Sequence, residues 1–271
     1  MVDSREGLIM GIGQHPLHRL CVKLSDRTEL SQEDREAILA LPLTTSTRSV
    51  GQHLVRAGEA PSSCTLLVSG FAQRYRQLSD GGRQIVGFHV EGDFVDLHFS
   101  MLNRASQSVQ LLTPAKIADI PHGALIDLMR SRPAVAEAIW IDSLADASII
   151  QEWVVSIGRR SARSRIAHLL CELGLRQEHA GLGHRSRIDL PLTQERLGDA
   201  LGLTVVHVNR TLKLLEANGL IRRDKRTVVI SDWESLADVG GFSSAYLHLA
   251  SPKKARQSST MASSKSPTLF E

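Results

Sequence analysis

Apolar residues recur along this chain with two different periods. Between residues 47 and 120 they come in short runs broken by turn signals. Residues 54–55 lead to Gly58-Glu59, and 65–68 lead to Ser69-Gly70. Residues 71–78 alternate, Ser79-Asp80-Gly81-Gly82 marks a hairpin turn, and 84–90 return. Glu91-Gly92-Asp93 turns again, and 108–112 and 116–120 read as further strands. Many short, closely spaced strands predict a β-barrel or jelly roll. From 133 to 158 the spacing changes to three and four, through Val135, Ala138, Ile139, Ala145, Ile149, Trp153 and Ile157. This predicts one helix about 39 Å long. A helix of that length is expected to pair with its copy through Ile139, Ile149, Trp153 and Ile157. Asp142 and Asp146 would interrupt that seam, each facing its symmetry mate, unless both sit just off it in water. Replacing either with alanine is then expected to tighten the dimer, and Ile149→Glu to give monomers. Ahead of the strands, Ser31 to Asp34 reads like a capping box opening a short helix over 31–41, stopped by Pro42. Residues 1–17 read as a loose leader.

The most specific pattern lies between Leu192 and Ile221. Two short helical patterns are each opened by a threonine cap, Thr193 and Thr204. Gly202 separates them and permits the sharp turn of a helix-turn-helix. Leu197 and Leu201 mark the inner face of the first helix, and Val208, Leu212 and Leu215 that of the second. Val205, Val206, His207, Asn209, Arg210 and Lys213 are left as candidate DNA-facing positions. Asparagine and arginine near the start of a helix suit the major groove, where Arg reads guanine and Asn reads adenine. Asn218-Gly219 stops the second helix. Residues 221–230 then read as strand, basic turn and strand, a wing that offers Arg222, Arg223, Lys225 and Arg226 to phosphates. The expected partner is double-stranded DNA.

Charge supports that placement. The net charge is +3, yet residues 159–236 hold 14 Lys and Arg against 9 Asp and Glu, while 1–158 hold 14 against 18. The half with the hairpin is the basic half. No run of about 18 apolar residues and no signal-peptide core occurs, so a cytoplasmic location without membrane insertion is expected. Cys21, Cys64 and Cys171 match no metal or cluster spacing and read as buried small apolar residues. The chain has no His-x-His pair for a cupin-like metal site, no nucleophile elbow and no phosphate-cradling glycine loop, so catalysis is not expected. The fold class is therefore α+β: a β-roll over 18–132, a dimerisation helix over 133–158 and a winged helix-turn-helix over 159–236. A C-terminal extension over 237–271 follows, Ser/Lys-rich and expected to be disordered from about 251.

In that order the pieces resemble the bacterial Crp–Fnr superfamily of transcription regulators, over about residues 18–236. Val90-Glu91-Gly92-Asp93-Phe94 is similar to its Gly-Asp-Phe turn, and 192–221 follows its helix-turn-helix. The resemblance implies a homodimer on a two-fold symmetric operator that recruits or blocks RNA polymerase. It also exposes departures. Members that bind cyclic nucleotides have a Glu for the ribose and an Arg-Ser pair for the phosphate. Here the corresponding positions read Asp96-Leu97-His98 and Gln107-Ser108, with Arg104 nearby. Asp96, His98, Arg104, Gln107 and Ser108 thus mark a weak effector pocket in which a cyclic nucleotide is not expected. An iron–sulfur cluster is not expected from two cysteines in this half, nor haem, for which His89 and His98 are candidates by residue type alone. Two alternatives for control stay open: gating by some small molecule, or no effector at all, with control by abundance or by a protein partner. In the recognition helix Val206 stands where relatives usually carry a Glu, and Arg210 matches their base-reading Arg. The operator is expected to differ at the base pair that Glu would read.

Overall fold

The computed structural model describes residues 15–102 and 104–249. The leader lies almost wholly outside the described residues, and the Ser/Lys-rich tail entirely so.

Three helices frame the roll: α1 (His18–Arg27), α2 (Gln32–Leu39) and α3 (His122–Ser131). The first follows the leader directly, and Ser31 caps the second in a full capping box with Asp34. The roll itself has two antiparallel sheets. One is ordered β1 (Thr44–Arg48), β7 (Ala115–Pro121), β3 (Ser63–Ser69); the other β2 (His53–Val55), β6 (Ser108–Leu111), β4 (Ala72–Gln77), β5 (Arg83–His89). Six of these strands follow the apolar runs of the sequence. The seventh, β1, is an edge strand of Thr-Thr-Ser-Thr-Arg with an exposed burial pattern, and so carries no apolar signal. Gly70, at φ +107°, is required between β3 and β4: a Cβ there would come within 2.8 Å of Ala115.

The long helix α4 (Pro133–Arg159) ends within a residue of its predicted limit. Its inner side packs on α1 and the roll through Val135, Ala138 and Ile139, and on the C-terminal domain through Ile149 and Trp153. A second helix, α5 (Ala162–His179), opens the C-terminal domain. There α6 (Gln194–Leu201) and α7 (Val205–Ala217) form the helix-turn-helix. A three-stranded sheet ordered β8 (Arg187–Asp189), β10 (Thr227–Ile230), β9 (Ile221–Asp224) forms the wing. α8 (Trp233–Gly240) runs across the boundary expected at 236, and a 3₁₀ turn, Ser244–Leu247, packs back onto α4. No helix among the described residues is long and apolar enough to cross a membrane.

The two domains share one apolar cluster. Phe71, Ile85, Phe88 and Val90 of the roll meet Ile149, Trp153, Leu173 and Leu201. Arg83 bonds Asp199 of α6 at 2.8 Å, and Arg176 of α5 reaches the Phe88 carbonyl at 2.8 Å and Asp93 at 3.1 Å. The Gly-Asp-Phe turn is thereby tied to the first helix of the C-terminal domain.

Candidate nucleic-acid interface

The helix-turn-helix is built from two capped helices and one close approach. The Thr193 hydroxyl accepts from the Arg196 N–H at 3.2 Å, and the Thr204 hydroxyl from the His207 N–H at 3.3 Å. Gly202 takes the left-handed conformation at φ +64° and ends α6. Gly198, which the sequence reading passed over, is as necessary: a Cβ there would lie 2.4 Å from the Leu203 carbonyl oxygen. A glycine one turn before the corner is the signal that could have found it.

Val208, Leu212 and Leu215 are buried as expected, joined by Thr211. The opposite face carries Val205, Val206, Arg210 and Lys213, all exposed, Val206 at 79%. Val206 and Arg210 are one helical turn apart and so share a patch of surface. His207 is half-buried at the edge of this face. Asn209 is half-buried too, and its amide donates to Gln194 Oε1 of α6 at 3.1 Å. Asn209 is therefore braced against the first helix rather than hanging free.

In the wing, Arg222, Lys225 and Arg226 are exposed, and Lys225 holds the turn with a left-handed φ of +53°. Arg223 departs from the expectation. Its Nε and Nη2 clamp the Glu216 carboxylate of α7 at 2.9 and 2.6 Å, and this hydrogen-bonding holds that carboxyl below its usual range. Arg223 is a fastener between wing and recognition helix, its guanidinium already occupied.

The expected dimer seam requires a larger correction. Ile139, Ile149 and Trp153 are buried inside the protomer, and Trp153 Nε1 donates to Glu172 at 2.9 Å. Asp142 turns into its own protomer, with Lys23 Nζ at 2.8 Å and Arg27 Nη2 at 3.0 Å. Asp146 also turns inward, bordering two cavities, and Ile157 packs beside Gly202. The outer face of α4 instead exposes Trp140 (69%), Leu144 (55%), Val154 (67%) and, between them, Ala147 and Ile150. Trp140, Leu144, Ala147, Gln151 and Val154 follow a four-three-four-three spacing, which is a heptad seam.

The weak effector pocket divides as well. His98 and Gln107 do line a cavity of about 280 Å³ between the roll and α4, together with Arg74, Asp142 and Asp146. Asp96 does not: its carboxylate is buried and accepts from the Thr65 N–H at 2.7 Å. Arg104 points outward to the Gly58 carbonyl, and the Ser108 hydroxyl accepts from the Ala57 N–H. Burial lowers His98 to about 4, with Arg74 adding to the effect, so the ring is neutral near pH 7. Among the described residues no group of three or more His, Cys, Asp or Glu could hold a metal. The three cysteines are buried, and burial pushes the Cys171 thiol up to about 12.

Burial raises Asp96 from 3.8 to about 7. The folded state therefore binds this proton more tightly than the unfolded chain. Its stabilising effect is complete below about pH 4 and is lost as pH rises through about 7. The Asp96 contribution to unfolding free energy is expected to fall across that window, read in denaturant titrations as the difference between wild type and Asp96→Asn, which mimics the neutral acid. A difference that stays level from pH 4 to 7 would remove this assignment.

This architecture has relatives. Residues 164–239 match the Crp-like helix-turn-helix domain, and residues 49–132 the cyclic nucleotide-binding domain. The nitrogen fixation regulation protein FixK of Bradyrhizobium diazoefficiens is 31% identical over 175 residues, covering 64% of this chain and 72% of the relative. The chain belongs to the Crp–Fnr family of transcription regulators. The transcriptional activatory protein AadR of Rhodopseudomonas palustris is 30% identical over 181 residues, 66% of this chain and 72% of that one. In fold, this Crp–Fnr chain is similar to FixK2 from Bradyrhizobium japonicum, with a TM-score of 0.67 and 23% identity over 73% of this chain and 98% of that structure. Like its family, it is a DNA-binding regulator of transcription.

Proposed function

We propose that this regulator reads a two-fold symmetric operator as a homodimer. The dimer forms through the outer face of α4, and α7 enters the major groove. The observation that carries the reading is the pairing of two exposed surfaces: the Val206 and Arg210 patch on α7, and an apolar heptad stripe on α4 that no described residue covers. Arg210 contacts a guanine edge, Val206 packs against a thymine methyl, and Arg222, Lys225 and Arg226 hold phosphates. The hydroxyls of Thr193 and Thr204, exposed at the two helix starts, and Lys213 add backbone contacts. Relatives named as activators support an action on RNA polymerase from the bound operator.

The test uses an operator selected from random duplexes by the wild-type protein. Arg210→Ala is expected to lose about 1–3 kcal/mol of affinity for that operator while random DNA is bound as before. Arg222→Ala should weaken both and reduce the salt slope by about one. An unchanged ratio of specific to random affinity for Arg210→Ala would take Arg210 off the reading face. Arg223→Ala should act differently again, loosening the wing thermally rather than changing the salt slope.

A further inference from the structure

One polar bond crosses the corner of the helix-turn-helix. Gln194 is the first residue of α6, directly after the Thr193 cap, and its Oε1 accepts from the Asn209 amide of α7 at 3.1 Å. Both residues are half-buried. The bond is not needed to hold the two helices together. Leu197, Leu201, Val208 and Leu212 already do so within one buried apolar cluster, and a single amide pair that water can reach adds little to them. Asparagine is also a poor residue for a helix interior, because its side chain competes for the backbone. What the bond does fix is the direction in which the Asn209 amide faces. Asn209 follows Val206 by three positions, so it sits beside the exposed patch formed by Val206 and Arg210.

We propose that Gln194 is a positioning residue for base reading: it holds the Asn209 amide with one N–H and Oδ1 turned to the DNA, and Asn209 so held reads an adenine in each half-site. This rests on the reading that α7 enters the major groove. A primary amide carries two N–H donors at one end and a carbonyl acceptor at the other. With one N–H given to Gln194, Asn209 keeps one donor and one acceptor. Adenine displays the matching pair in the major groove, N7 accepting and N6 donating. Guanine displays two acceptors, N7 and O6, so Oδ1 would meet an oxygen there. Cytosine offers only a donor and thymine only an acceptor, so either would leave half of the amide unanswered. An asparagine without a brace turns freely about its last torsion, which exchanges donor and acceptor, and DNA binding must then freeze that turn. Gln194 freezes it beforehand, so the amide is preorganised for one base.

Operators are selected from random duplexes by the full-length wild type, Gln194→Met, Asn209→Ala and the double variant. Methionine keeps the length of glutamine and removes its acceptor. The wild type is expected to select one adenine per half-site that Asn209→Ala no longer prefers, a loss of about five- to 150-fold against guanine, the span of one bidentate contact. Gln194→Met should reduce the same preference at least about threefold, at that base pair alone. In the Asn209→Ala background it should change nothing further, since its partner is gone. Gln194→Glu, which keeps an acceptor for the Asn209 amide, should restore the preference. A bond that served only to join the helices would instead lower the melting temperature of Gln194→Met and leave its base preference as in the wild type. An adenine preference untouched by Gln194→Met, one that falls equally with and without Asn209, or no preference lost in Asn209→Ala overturns the assignment. Arg210→Ala in the same selection reports separately on the DNA-reading proposal. If it relaxes its own base pair while Asn209→Ala relaxes none, the DNA reading stands and the role of Gln194 falls.

Discussion

Leu144→Glu is expected to yield monomers and to lower operator affinity by at least about a hundredfold. Leu144 lies on the outer stripe of α4, with Trp140 and Ala147 a turn to either side. Two-fold pairing of α4 would set each new carboxylate in a drying interface beside its copy, so every dimer would bury the charge twice. A monomer loses the second half-site, and with it the effective concentration that linkage supplies, commonly a factor of 10² to 10⁴. Sedimentation and operator titration together decide the matter. The contrasting substitution is Ile149→Glu. Ile149 sits in the shared apolar cluster beside Trp153, so a charge there should loosen the protomer itself, lowering its melting temperature before it changes assembly. A Leu144→Glu protein that stayed dimeric and bound its operator normally would remove the outer stripe as the interface.

The difference between those two variants shows what the sequence could and could not convey. Caps, the corner glycine and the alternation of the roll are local signals, and they placed the helix-turn-helix, the wing and six strands of the roll close to where they lie. Strand β1 escaped because an all-polar edge strand has no apolar period. The length of α4 was readable from its spacing, but its facing was not. The helix is apolar on two sides, Val135, Ala138, Ile139, Ala145 and Ile149 inward, Trp140, Leu144, Ile150 and Val154 outward. Period alone cannot say which stripe meets the protomer's own core. The deciding partners of Asp142 stand on α1, where Lys23 and Arg27 are spaced i, i+4 and so share a face. That cationic pair was visible in the sequence. Its target, more than a hundred residues away, was not. The effector positions failed for a similar reason. Asp96 was read as lining a pocket, but its carboxylate turns inward to the Thr65 backbone, while Arg74 looked like one more residue of an alternating strand.

Asp142→Ala is expected to cost about 3–5 kcal/mol of stability, the usual penalty for removing one partner of a buried ion pair. A seam through Asp142, with the residue opposite its symmetry mate, predicts a gain instead. In the structure Asp142 sits between Lys23 and Arg27, with side-chain exposures of 7%, 18% and 8%. Lys23 continues to Asp93 at 2.9 Å, Asp93 to Arg176 at 3.1 Å, and Arg176 to Glu172 at 3.6 Å, so one chain of charges runs from α1 through α4 and the Gly-Asp-Phe turn into α5. Burial alone would raise Asp93, but Lys23 and Arg176 outweigh it and hold the carboxyl well below the usual carboxylate range. A depressed carboxyl gives its stability above the unfolded value near 4 and loses it only as pH falls toward the folded one. The Asp93 links of this chain should therefore survive mild acid. Without Asp142, Arg27 keeps, among the described residues, backbone carbonyl partners alone, at Leu247 and His248. Asp146→Ala removes a carboxylate that has no direct partner among the described residues, and whose burial disfavours its charge, so it should be neutral or stabilising. Two aspartates one turn apart are thus expected to differ in sign, whereas a seam of like charges predicts the same sign for both. Denaturant unfolding of the two alanine variants separates these outcomes, and equal effects would return both residues to the dimer interface.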